Sequence, residues 1–305
     1  MTLYRARRAT TETYELAEGP VWDGPRDRLL WVDILAGTVL TGRLDGDGIT
    51  VTGSRAFAGP VGAVLPVQDG RLAVVARDRI LLAPGGADDG TDDGAHAGVE
   101  QGALVVPAGV ASRTNDAAVD PAGRLLVGTH PFDGGEGPES LVQVDGRQVR
   151  VLDNDLLLSN GLCWSPDGRT LYSVDTLTST VWARDYDVGT GATSQRRAHL
   201  TGRELVGGMP DGMCADADGL LWIAFWGAGE VRRYDASGNV VDTVAVDAPH
   251  TSSLTFAGPE LRTLVITTAR EGLDAAELAG SPASGALFTV EVEARGLPQP
   301  EYRAG

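Results

Sequence analysis

Lysine is absent: all 25 basic residues are arginine. No lysine Schiff base can form, and no lysine-bearing phosphate loop is present. Cysteine is scarce. The two, Cys163 and Cys214, cannot build a disulfide framework. Positive charge is in the minority, with 42 acidic residues against 25 basic ones and a net charge of −17. That balance argues against nucleic acid and anionic membrane surfaces as partners. Long hydrophobic runs are missing too. No stretch approaches the ~20 apolar residues of a membrane span. The opening "MTLYRARRATTETYELAEGP" has no apolar signal-peptide region. The expectation is a soluble, cytoplasmic protein with no membrane partner and no evident protein partner. No sustained 3.6-residue apolar period occurs, so helices should be few.

What the chain does contain is a phrase, repeated. "SNGLCWSPDGRTLYSVDT" and "PDGMCADADGLLWIAFWGAGEVRRYD" share one plan: a polar residue, Gly, an apolar pair, an Asp/Gly turn, an apolar run. The same plan returns in "EGPVWDGPRDRLLWVDI", "VGAVLPVQDGRLAVVAR" and "NDAAVDPAGRLLVGTH", and in degenerate form in "SSLTFAGPELRTLVITTA". The copies cover nearly the whole chain and leave no linker. Further short β-branched and aromatic runs follow each copy, as in "STVWARDYD" and "NVVDTVAV". Repeats of this length with four strands each predict an all-β, six-bladed β-propeller spanning residues 1–305 as one domain. The last copy supplies only three clear strands, ending "GALFTVEV". A closed ring leaves no free edge, so "TLYRARRAT" at the N-terminus is expected to close the last blade.

The first strand of each blade lines the central channel. Equivalent positions there converge on one axis. Aligned on their Asp/Gly turns, the copies place Glu18, about Val61, Asn115, Asn160, Asp211 and about Ser252 at that point. Oxygen-bearing Glu, Asp and Asn side chains without a Cys or an obvious His suit a hard divalent cation. Ca²⁺ fits best, with Mg²⁺, Mn²⁺ and Zn²⁺ as alternatives. Two carboxylates facing a narrow channel with no cation would repel, and one would hold its proton.

On "EGPVW", "SRTNDAAVDPAGRLLVGT", "LSNGLCWSPDGRTLYSVDT", "PDGMCADADGLLWIAFWG" and the terminal "RGLPQPEYRAG", the chain resembles the senescence marker protein, gluconolactonase and luciferin-regenerating enzyme family, which includes regucalcin. The resemblance implies a six-bladed propeller with one divalent cation on its axis, held by Glu18, Asn160 and Asp211. It implies substrate contacts from Arg113 and Asn115 and a general base in Asp211. The implied reaction is hydrolysis of a sugar lactone to its aldonic acid, with a small-molecule sugar lactone as the partner. A lactone is an activated ester and needs no covalent nucleophile. The absence of a G-x-S-x-G elbow agrees with that. Two other readings stay open: another esterase or phosphotriesterase-like hydrolase on the same site, and a non-catalytic calcium-binding propeller. The Arg113–Asn115 pair favours an enzyme.

The sequence departs from the family pattern in places. Ala117 stands where the family has Gly after its Asn-Asp pair, and His130 where Met is usual. His130 is therefore a candidate substrate contact. The Gly-rich loop "PFDGGEGPES" adds Asp133 as another, with Glu136 beside it, and His250 is placed near the channel mouth. Cys163 and Cys214 occupy equivalent positions and are expected in blade cores. So are Trp22, Trp164 and Trp222. Trp226 is the tryptophan best placed to touch ligand. "DDGTDDGAHAGVE" mimics a calcium loop, with Asp89, Asp93 and Glu100 at positions one, five and twelve. Thr91 at position three and strand-like flanks argue instead for an acidic insertion in the second blade.

Overall fold

A computed structural model of the chain describes residues 1–86, 98–132 and 137–304. Asp133, Glu136 and residues 87–97, which include Asp89, Thr91 and Asp93, lie outside the described residues. Six sheets, antiparallel except for one added edge strand, form a ring of blades. Their innermost strands are Ala17–Asp23, Val61–Pro66, Ser112–Val119, Ser159–Trp164, Met209–Ala215 and Thr251–Ala257. Each packs on the next, and the last packs on the first, so the ring closes. Among the described residues, helix is confined to one six-residue segment, Ala275–Gly280, and a three-residue 3₁₀ turn, Gly24–Arg26. No helix among the described residues is long and apolar enough to cross a membrane.

The N-terminal segment does more than close the last blade. Arg7–Arg8 pairs antiparallel with the strand Phe288–Glu291 and completes blade 6. Thr2–Arg5 pairs parallel with Val240–Ala245 and makes blade 5 five-stranded. Buried Ala6 sits at the crossing, its N–H donating to Ala245 C=O at 2.9 Å. One segment therefore ties two neighbouring blades.

The repeated Asp/Gly turns have a local cause. Asp120 is fully buried and accepts backbone N–H bonds from Ala122 and Arg124 at 2.9 and 2.7 Å. Gly123 takes the φ of +88° that closes the hairpin. Asp216 and Gly219 repeat this in blade 5. A second aspartate works at the other end of the inner hairpin. Asp33 accepts from Glu15 and Leu16 N–H, and Asp175 from Leu157 and Leu158 N–H. Each pins the segment that enters an innermost strand, two or three residues before Glu18 and Asn160. In blade 2, Glu100–Leu104 is a strand that pairs with Arg79–Ala83. The acidic insertion thus falls between the third and fourth strands, and a calcium-loop exit helix is excluded there.

Candidate active site on the channel axis

All six innermost strands slip register near their entry, where an extra residue breaks the ladder. Such a bulge re-aims the side chain beside it. Glu18, Asn115, Asn160 and Asp211 sit at these bulges and face one cavity of about 120 Å³ at the mouth of the channel. Each is no more than 7% exposed. The two remaining positions turn out differently. Val61 is fully buried and its N–H donates to Ile34 C=O at 3.2 Å. Ser252 is also fully buried and donates to Ala17 C=O at 2.6 Å, tying blade 6 to blade 1. Neither lines the cavity.

A directional chain of hydrogen bonds orients the amides. Arg113 Nη1 donates to Asn115 Oδ1 at 2.7 Å, and Asn115 Nδ2 to Asn160 Oδ1 at 2.7 Å. Asn160 Nδ2 donates to Thr176 Oγ1 at 2.8 Å, and Thr176 Oγ1 to Pro210 C=O at 2.8 Å. A guanidinium can only donate and a carbonyl can only accept. Every link between those ends is therefore fixed, and both amide oxygens point along the chain toward Arg113. The other guanidinium N–H groups of Arg113 make no hydrogen bond to the described residues, apart from a second Nη1 contact to Thr114 C=O at 3.0 Å.

The carboxylates are short of positive charge. Among the described residues, Glu18, Asp116 and Asp211 form no ion pair within 4 Å. Burial, then the charge of Asp116, pushes Glu18 up to about 8. Burial, then Glu18 and Asp116, holds Asp211 well above the usual carboxylate range. Asp116, on the far side of the same layer, is pushed up to about 6 by burial. Carboxylates buried together without a counter-charge repel one another, and burial favours their neutral forms. Glu18, Asp211 and the fixed carbonyl of Asn160 form an all-oxygen donor set that fits a hard divalent cation. No three His, Cys, Asp or Glu side chains among the described residues group to hold a metal, so the set needs the Asn160 amide.

Residues at the exit ends of second strands form an upper ring. Ile34, His130, Thr176 and Trp226 occupy that place in blades 1, 3, 4 and 5, and all line the cavity. His130 Nδ1 donates to Pro131 C=O at 2.5 Å. Burial, then Arg113, lowers its pKa to about 4, so the ring is neutral at pH 7. His250 stacks on Trp226 at 4.2 Å and supports it from outside the cavity lining. Sequence reasoning missed Glu271, Thr176 and Asp116. Thr176 was findable from its register with His130. Glu271 follows the degenerate sixth copy, where the register is hard to read. Below the carboxylate layer, a cavity of about 320 Å³ is lined by Asp116, Cys163, Cys214 and the C-terminal Leu297–Pro300. Cys163, Cys214, Trp22, Trp164 and Trp222 are buried as expected.

Residues 16–270 match the family described as SMP-30/Gluconolactonase/LRE-like region. The chain belongs to that family. It is 33% identical to Pentonolactonase XacC of Haloferax volcanii over 305 residues, covering 97% of each chain. It is 34% identical to the 6-deoxy-6-sulfogluconolactonase of Pseudomonas putida over 294 residues, covering 94% of each. Among solved structures, the calcium-binding protein regucalcin of Agrobacterium tumefaciens superposes with a TM-score of 0.85 at 28% identity, over 99% of both chains. The six-bladed fold is that of this neighbour.

Proposed function

We propose that this protein is a divalent-cation-dependent hydrolase of sugar lactones, with Ca²⁺ as the cation. The observation that carries the reading is the axial layer itself: two buried carboxylates without ion-pair partners beside an oriented amide oxygen, under a cavity that Arg113 enters. The family's lactonase members support it. Glu18, Asn160 and Asp211 hold the cation. When bound, the cation supplies polarisation of an ester carbonyl and charge stabilisation for its oxygen.

The chain's own residues do the rest. Asp211 accepts a proton from the attacking water, which adds to the acyl carbon. The ring C–O bond then breaks, the alkoxide leaving group takes the proton held by Asp211, and the aldonic acid formed ionises to the aldonate. Arg113, held in place by Asn115 and Thr114, offers its free N–H groups to substrate oxygens. Asn115 keeps Arg113 and Asn160 in register. Neutral His130 presents an imidazole that stays uncharged beside Arg113. Asp133 is proposed as a further substrate contact.

The test is lactone hydrolysis followed by acid release, with added Ca²⁺ and with chelator. Asp211→Asn keeps an oxygen donor and removes the base. At saturating cation it should lose about 10²–10⁴-fold in turnover. Arg113→Ala and Asn115→Ala should weaken substrate binding with less effect on cation affinity. Wild-type turnover in metal-saturated Asp211→Asn would remove the base assignment. Cation binding with no hydrolysis of any lactone by the wild type would favour a non-catalytic calcium-binding propeller.

A further inference from the structure

Glu271 is the acidic residue of the cavity that the catalytic reading leaves unused. It lies just beyond the second strand of blade 6, Thr263–Thr268. Its backbone is held on both sides. Its N–H donates to Glu15 C=O at 3.0 Å, and its own C=O accepts from His250 Nδ1 at 3.0 Å. The side chain is fixed by nothing comparable. It lines the cavity and makes no hydrogen bond or ion pair with any described residue.

Blade 6 stands opposite blade 3 in a six-membered ring, so Glu271 faces Arg113 and His130 across the opening. Among the acidic groups acting on Arg113, Glu271 exerts the largest effect. Its negative charge is also felt at Glu18 and Asp211. The opening therefore has an acceptor wall at Glu271 and a donor wall at Arg113. Between them, Leu158, Leu177 and Met209 make an apolar side. A free carboxylate beside an apolar surface is matched by a ring that carries hydroxyl donors on its edge and C–H bonds on its face.

We propose that Glu271 selects neutral polyhydroxylated rings, accepting hydrogen bonds from adjacent ring hydroxyls and rejecting lactones that carry a phosphate, sulfonate or carboxylate substituent. The ring's C–H face lies on Leu158, Leu177 and Met209. This deepens the lactonase reading and rests on it for turnover, although binding alone also tests it.

The experiment uses the full chain with saturating CaCl₂. Steady-state rates are measured on glucono-δ-lactone, on its 6-phosphate and on unsubstituted δ-valerolactone, for wild type, Glu271→Gln and Glu271→Ala. Calorimetry on a 1,5-anhydrohexitol, the same ring without its carbonyl, reports binding apart from hydrolysis. Losing a hydrogen bond to a charged acceptor should raise the Glu271→Ala KM for gluconolactone about 10-fold or more, with kcat falling much less. The preference for gluconolactone over valerolactone should fall by a similar factor. Glu271→Gln, which retains an acceptor oxygen, should restore part of that loss. It should also cut the discrimination against the 6-phosphate by about 10-fold, since the repelling charge is gone. Equal wild-type rates on the neutral and phosphorylated lactones, or unchanged selectivity in both variants, would overturn the proposal while leaving lactonase activity standing. No hydrolysis by the wild type, with anhydrohexitol affinity still dependent on Glu271, would overturn the lactonase reading alone. Neither hydrolysis nor anhydrohexitol binding would overturn both.

Discussion

Glu18 carries a sharp electrostatic conflict. Its carboxyl is raised from an ordinary 4.5 to about 8. In the cation-free protein the folded state therefore binds a proton that the unfolded chain releases between those values. Stability falls as pH rises wherever the folded state binds more protons. For Glu18 that stability is full below about 4.5 and lost as pH climbs through 8. His130 runs the other way. Its pKa is lowered from 6.5 to about 4, so its effect on stability is complete above 6.5. The window from pH 7 to 8.5 isolates the carboxylates. Chelated protein should lose thermal stability across it, and Glu18→Gln should flatten the slope. Saturating Ca²⁺ should flatten it too, because the cation takes the proton's place. The same exchange releases protons: calorimetric Ca²⁺ binding at pH 7 should vary with buffer ionisation enthalpy in proportion to about one proton or more. A buffer-independent enthalpy would mean that Glu18 and Asp211 are already ionised without metal.

Elements bring these residues together through close approach. A Cβ on Gly161 would lie 2.5 Å from Asp211 C=O, and one on Gly62 2.2 Å from Asn115 C=O. Glycine at these two bulges lets blade 2 reach blade 3 and blade 4 reach blade 5, and so sets how tightly the ligand layer closes. Gly161→Ala should cost about 1–3 kcal/mol. It should also lose much of the Ca²⁺-induced rise in melting temperature, because blades 4 and 5 carry Asn160 and Asp211. Gly280→Ala, at the end of the helix Ala275–Gly280 with open space around it, is the control and should leave both unaltered. An undiminished Ca²⁺ response in Gly161→Ala would show that the layer tolerates spreading. The same elements explain what could be read in advance. Asp/Gly turns and period-two apolar runs are local, so the six copies and the convergence of Glu18, Asn115, Asn160 and Asp211 were legible. Ser252 was not, because its side chain turns to the Ala17 carbonyl of the neighbouring blade. Glu271 was not, because a residue just past a strand carries no type signature of its own. The division of the N-terminal segment at Ala6 was equally hidden, since both halves read as strand.

At the scale of the whole ring, both chain ends act as clasps. The N-terminus joins blades 5 and 6, while the C-terminal tail crosses the lower face. Tyr302 N–H donates to Pro66 C=O and Arg303 N–H to Gly123 C=O, each at 2.8 Å, and Glu301 accepts from Arg26 at 2.7 Å. The tail thus anchors on blades 1, 2 and 3, and Leu297–Pro300 is held over the lower end of the channel. Cys163 and Cys214 line the cavity above it, at 9% and 8% exposure. Burial raises both thiols, so little thiolate is available in the intact protein. Removing residues 297–305 takes away this cover and its anchors but no blade strand. The truncated ring should still unfold cooperatively. Its two thiols should react with an aromatic disulfide reagent at least about 10-fold faster under native conditions, because exposure and ionisation both rise. Cys163→Ser and Cys214→Ser in the truncated chain assign the rates to each thiol. Hydrolysis at the opposite mouth should change less than thiol reactivity, since the carboxylate layer separates the two cavities. Unaltered thiol rates in a folded truncated protein would show that the tail does not seal the channel.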